Sequence, residues 1–170
     1  DYLAVLGRIS PEKAVDRAIR IARRCNLPLK IAAKVDPVDV DYFAREIRPL
    51  LDQPGIEYIG EISDADKSQF LSGARALLLP IDWPEPFGLV MIEAMACGTP
   101  VIAYPSGSVC EVLEHGLTGL IVRDETAAAD AIEHQLSQLS HERIVARFKE
   151  RFTARRMADD YVEVYRALAA

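Results

Sequence analysis

Short apolar runs alternate with helix-length patterns along most of the chain, and this alternation restricts the fold more than any other feature. A short, mainly apolar run of about three to five residues bounded by turn residues suits a strand buried on both faces. Six such runs occur, at Tyr2–Leu6, Leu29–Ala33, Ile56–Ile59, Ala76–Leu79, Val101–Tyr104 and Leu120–Val122. The first is followed by Ser10-Pro11-Glu12-Lys13, which reads as an N-cap, an N1 proline and an acidic first turn. Ala14, Ala18, Ile21 and Ala22 then form the apolar stripe of a helix. Further helices are expected over Val40–Leu51, from Ser63-Asp64 to Gly73, and over Phe87–Ala96, stopped at Gly98. Three more close the chain, over Thr126–Leu139, Glu142–Arg151 and Ala154–Leu168. Repeated β-then-α units predict an α/β protein, a Rossmann-like doubly wound parallel sheet of about six strands with helices on both faces.

Composition removes several function classes. The net charge of −6 lacks the basic footprint of a nucleic-acid binder. No apolar run approaches the roughly 20 residues that cross a bilayer, and no signal-peptide pattern opens the chain. Cys25, Cys97 and Cys110 are odd in number and lack metal-ligand spacing, so reduced thiols in a cytoplasmic protein are expected. His115, His134 and His141 follow no metal pattern either. The chain opens directly into an apolar run without methionine, as a domain excised from a longer protein would.

Charge is unevenly spread. Residues 1–33 carry seven Lys and Arg against three Asp and Glu, whereas residues 35–139 carry five against eighteen. A small anion would settle near the N-terminal segment, although solvated helix faces explain the same asymmetry.

Ligands of open α/β sheets bind outside the carboxyl ends of the strands. Three segments hold those positions. Gly7-Arg8 follows the first strand, with Lys13 in the first turn of the next helix. Their pattern is neither a dinucleotide fingerprint nor a P-loop, and by themselves the two cations could simply be solvated. The second segment runs from Glu85-Pro86-Phe87-Gly88-Leu89 through Glu93 to Cys97-Gly98-Thr99-Pro100. Its helix reads as apolar nearly all round and therefore buried, with Glu93 its one ionisable group. A buried carboxylate needs partners, either a ligand diol or a neighbouring Lys or Arg. Glu85 lies before the helix in the spacing Glu-x7-Glu, and the amides of Phe87, Gly88 and Leu89 would be free to meet phosphate oxygens. Paired carboxylates also suit a glycosidase, but the adjacent anion site argues against a hydrolase of neutral glycans. The third segment, Pro105-Ser106-Gly107-Ser108, offers loop amides to an anion or a sugar oxygen, or is only a loop.

Together these residues resemble the C-terminal, donor-binding domain of retaining GT-B glycosyltransferases of family four, the group 1 glycosyltransferases. The matching text is Gly7-Arg8-Ile9-Ser10-Pro11-Glu12-Lys13, the Glu85–Glu93 block with Ala94, Cys97-Gly98-Thr99-Pro100-Val101 and Gly116-Leu117-Thr118-Gly119-Leu120, spanning most of residues 1–135. The resemblance implies that the whole chain is one lobe of a GT-B fold, binding a nucleotide-diphosphate sugar as donor substrate without a metal or other cofactor. Arg8 and Lys13 would hold the diphosphate, Glu85 the transferred sugar and Glu93 the ribose hydroxyls. Gly7 and the amides of Phe87, Gly88 and Leu89 would contact phosphate or sugar oxygens, with Ile62 beside the base. An acceptor carbohydrate or small molecule would come through an N-terminal lobe that this chain lacks, so the fragment alone is expected to bind donor weakly and transfer nothing. The terminal helix, 154–168, would cross to that lobe. Without it, the Met157, Tyr161, Val164 and Leu168 stripe would pack on its own domain or form a homodimer. Ala14 and Ala33 stand where the family often carries glycine, and Cys110 where proline is common. Two other readings remain open, a non-catalytic nucleotide-sugar module and a GT-B-like nucleotide-sugar epimerase.

Overall fold

The computed structural model describes residues 2–169. β1 (Tyr2–Arg8) leads through a 3-10 turn at Pro11–Lys13 into α1 (Val15–Arg24), followed by β2 (Leu29–Lys34). A 3-10 turn at Pro37–Asp39 opens one continuous helical stretch: α2 (Val40–Tyr42), a π turn at Phe43–Ile47 and α3 (Arg48–Leu51). Pro49 has no N–H to donate back along the helix, and the wider turn sits immediately before it. β3 (Ile56–Gly60), α4 (Asp64–Ser72), β4 (Ala74–Leu79), α5 (Leu89–Ala96) and β5 (Val101–Ala103) follow. The chain finishes with α6 (Val109–Val112), β6 (Gly119–Ile121), α7 (Glu125–His134), α8 (His141–Arg151) and α9 (Ala154–Ala169).

The six strands form one sheet in the order β3-β2-β1-β4-β5-β6, and every pairing is parallel. The chain winds outward from β1 to β3, then crosses back to β4 on the other side of β1. The carboxyl ends of β1 and β4 therefore flank a topological switch point, where such sheets open a crevice. Alternate residues feed two cores. Leu3, Val5, Ile31, Leu78 and Ile102 pack under α1 and α7, while Ala4, Ala32, Leu77 and Leu79 meet Met91 and Met95 of α5 and Ile144 of α8.

Several boundaries differ from the sequence reading. β1 runs two residues further, because Gly7 and Arg8 still pair with Ala33 and Lys34. Lys13 lies in a 3-10 turn rather than in α1, separated from it by Ala14, whose φ of 47° is left-handed. α5 begins at Leu89, two residues later than expected, because Gly88 adopts φ 75° and ψ 65°. α9 buries none of its residues, so its apolar stripe does not pack on its own domain.

Candidate functional site at the sheet's switch point

The crevice contains two neighbouring features. The first is a pocket of about 300 Å³ at the ends of β1, β2 and β3, lined by Gly7, Arg8, Ala33, Ile62, Lys67 and Glu93 among others. Glu93 lies three residues after Val90 on α5, so both face this pocket. Its carboxylate accepts a hydrogen bond from Lys67 Nζ at 3.2 Å, and Lys67 also pairs with Asp64 at 2.9 Å. The Asp64 carboxylate, with Glu93 behind it, holds the Lys67 ammonium above its usual range. Arg8 reaches Asp36 at 3.3 Å, as does Lys34 at 3.1 Å. Lys34 first and Arg8 second hold the Asp36 carboxyl below its ordinary value.

The second feature is a shelf built around Glu85, which is only 9% exposed. Its Oε2 accepts from Lys13 Nζ at 2.5 Å and from Trp83 Nε1 at 3.0 Å, and the Lys13 ammonium sits 5.3 Å from the Trp83 ring centroid. A buried carboxylate with an ammonium and an indole N–H has the partners it needs. Two distant segments fix its position. Asp82 N donates to Glu12 O at 2.9 Å, and Ser108 N donates to Glu85 O at 2.8 Å. Ser106 Oγ donates to Trp83 O. Gly107 comes so close that a Cβ there would lie 2.3 Å from Glu85 O. Gly88 closes the other side, where a Cβ would approach Glu85 Cγ to 3.2 Å.

The structure reverses the expected burial of the two carboxylates. Glu85 is buried, whereas Glu93 keeps 37% of its side chain exposed at the pocket mouth and is held by a lysine. The helix that carries Glu93 is not buried all round, since Leu89 stands on its open face. Arg8 and Lys13 do not meet on one point: the first is drawn to Asp36 and the second to Glu85. The amides of Ser106, Ser108 and Val109 are spent on Tyr104, Glu85 and Ser106 carbonyls, so the third segment buttresses Glu85. Among the described residues, the amides of Phe87 and Gly88 donate to no backbone carbonyl.

Residues 1–155 match the family described as glycosyl transferases group 1. The chain belongs to the group 1 glycosyltransferases. It is 27% identical to the alpha-maltose-1-phosphate synthase of Mycolicibacterium smegmatis over 99% of its own length and 48% of that protein. Its fold superimposes with a TM-score of 0.81 on AviGT4, a glycosyltransferase of avilamycin A biosynthesis, at 27% identity, covering 99% of this chain and 51% of that one. HepE of Anabaena in complex with UDP shares the fold with a TM-score of 0.82 at 21% identity, over 98% and 48% of the two chains. The chain thus spans about half the length of these relatives, as one Rossmann-like lobe of a GT-B glycosyltransferase.

In this group 1 glycosyltransferase the sequence reading missed two site residues. Lys67 follows Asp64 by three residues, a visible helix pair, but nothing in the text joins it to Glu93, 26 residues later. Trp83 is the sole tryptophan and lies two residues before Glu85, which was a usable signal. Asp39-Val40-Asp41 and Asp64-Ala65-Asp66 are Asp-x-Asp pairs, yet among the described residues no group of three or more His, Cys, Asp or Glu could hold a metal ion. Among the described residues, no helix is long and apolar enough to cross a membrane.

Proposed function

We propose that this chain is the donor lobe of a glycosyltransferase that moves a sugar from a nucleotide-diphosphate sugar, with retention at the anomeric carbon and without a metal. One observation carries the reading: a pocket edged by Glu93 stands at the switch point beside a buried Glu85–Lys13 pair. Glu93 accepts two hydrogen bonds from the ribose hydroxyls, with Lys67 fixing the position of its carboxylate. Arg8 and Lys13 receive the diphosphate, Arg8 as a two-pronged donor and Lys13 as a point charge. The free amides of Phe87 and Gly88 add donors for phosphate or sugar oxygens. Glu85 holds hydroxyls of the transferred sugar, and Trp83 fixes the orientation of its carboxylate.

As the bond from the anomeric carbon to the diphosphate breaks, negative charge grows on the leaving oxygen. Preorganised cations aimed at that charge are the main catalytic contribution this half can make. Lys13 is placed for it, its ammonium held in position by the Glu85 carboxylate at 2.5 Å. Uridine diphosphate is the first nucleotide to test, since the similar HepE was solved with it. The reading also includes an acceptor held by a second lobe and a cytoplasmic setting, which the free thiols of Cys25, Cys97 and Cys110 support. A homodimer through the exposed Met157, Tyr161 and Leu168 stripe is part of it too, and a strict monomer by sedimentation would contradict that part.

The single tryptophan supplies the test. Trp83 emission, followed while UDP-glucose, GDP-mannose and ADP-glucose are added, is expected to change saturably with one of them. Glu85→Gln is expected to weaken the nucleotide sugar more than the bare nucleotide. An equal effect on both would contradict the sugar-holding role.

A further inference from the structure

Arg8 and Lys34 end β1 and β2 in direct register with one another, and both line the switch-point pocket. Residues paired across neighbouring strands send their side chains to the same face, so two cations stand side by side there. Like charges so placed repel, and an anion between them removes the repulsion. Asp36 supplies that anion. Its Oδ2 accepts from Arg8 Nη1 at 3.3 Å, and its Oδ1 lies 3.1 Å from Lys34 Nζ.

The position of Asp36 makes this use of its carboxylate unusual. It is the N-cap residue of the Pro37–Asp39 turn, where an aspartate side chain ordinarily accepts from backbone amides. Here it makes no cap bond, and each of its oxygens serves one cation instead. One anion with two oxygens, one for each cation, is also how a phosphate group would be held, with more charge and more acceptor oxygens. Glu85 and Glu93 each hold hydroxyls in the donor-lobe reading, whereas Asp36 has no part in it. The pocket lining is balanced, with Arg8, Lys34 and Lys67 against Glu61, Asp64 and Glu93. Asp36 adds one negative charge beside it, which opposes an arriving diphosphate. The contact can still be exchanged, because the Arg8 and Lys34 side chains are 55% and 50% exposed and such solvated pairs are weak.

We infer that Lys34 is a further diphosphate-binding residue beside Arg8, and that Asp36 is an internal anion that occupies this pair until a phosphate displaces it. That the phosphate belongs to a nucleotide rests on the donor-lobe reading above; the two-cation clamp rests on the strand register and the shared carboxylate. Asp36 thereby lowers the affinity for phosphate-bearing ligands and leaves that for a bare nucleoside unchanged.

The test is an NMR titration of wild type, Asp36→Asn and Lys34→Gln at constant ionic strength. The ligands are inorganic pyrophosphate, UDP, GDP and ADP, and the nucleoside of whichever nucleotide binds most tightly. Asparagine keeps the size of the side chain and suits an N-cap, so the Tm of Asp36→Asn is expected to be unchanged. This variant is expected to bind pyrophosphate and the preferred nucleotide about fivefold more tightly, and the nucleoside as wild type does. Lys34→Gln is expected to weaken both phosphate ligands by about threefold. Nucleotide binding that Asp36→Asn leaves unchanged or weakens would overturn the inference and leave the donor lobe standing. Weaker nucleoside binding by Asp36→Asn would overturn it as well, because the carboxylate would then be holding a ligand hydroxyl. Pyrophosphate binding tightened by Asp36→Asn, with no nucleotide binding better than pyrophosphate, would keep the clamp and remove the donor-lobe reading. No binding of any ligand to any of the three proteins at about 50 mM would overturn both.

Discussion

Gly88 and Ala14 both hold left-handed backbone, and the chain fills the two positions differently. At Gly88 a Cβ would strike Met91 Cε at 2.4 Å and press on Glu85, in addition to the left-handed strain of about 1–2 kcal/mol. Gly88→Ala is expected to destabilise the chain by about 2 kcal/mol in urea unfolding and to alter Trp83 emission through Glu85. Ala14 already bears such strain, so Ala14→Gly is expected to gain about 1 kcal/mol in the same measurement. Part of this scale was legible in the text. Gly7, Arg8, Ile62 and Glu93 line one pocket at the strand ends, whereas Glu85 lies outside its lining, paired with Lys13. The relative burial of the two carboxylates was not, because it depends on Gly88 delaying the helix and on Gly107 closing over Glu85. The left-handed Ala14 is where the resemblance expects glycine, a departure whose backbone cost the text alone could not show.

At the scale of elements, α8 is fastened to the end of α6 through one carboxylate. Glu114 accepts from Arg147 and from Arg151, each at 2.6 Å, and Arg151 also donates to Val112 O. Arg147 first holds the Glu114 carboxyl below its ordinary value, with Arg151 adding to the effect. A depressed folded pKa means that the stabilisation is complete above the unfolded value of 4.5 and is lost as pH falls through the lower folded value. With partners about one-third exposed, the contribution is about 1 kcal/mol. Glu114→Gln is expected to lower stability by that amount at neutral pH and to narrow the gap to wild type in acid, as read from urea midpoints across pH. Strands were the most legible elements, since buried parallel strands announce themselves as apolar runs. The polar ends of β1 escaped that signal because Gly7 and Arg8 pair through backbone alone. The π turn before Pro49 escaped it because helical periodicity does not report which carbonyl loses its donor.

On the scale of the molecule, one sheet and two cores are complete without α9. That helix exposes Met157, Tyr161, Val164, Tyr165 and Leu168, and none of its residues is buried. Ending the chain at Thr153 is therefore expected to move Tm by less than about 2 °C, well under the shift a 2 kcal/mol core loss would give. A larger fall would mean that α9 packs against the domain after all. The helical stripe was plain in the sequence, but whether it had a partner was not, because periodicity marks an apolar face and not what covers it.

The central claim is that Glu93 and its pocket hold the nucleotide of a sugar donor. Calorimetric titration of the chain with UDP, GDP and ADP, for wild type and Glu93→Ala, tests it most directly. One nucleotide is expected to bind selectively, and the variant to bind it at least about tenfold more weakly, a loss of about 1.4 kcal/mol. No binding by any of the three at about millimolar concentration, or equal binding by wild type and variant, would contradict it.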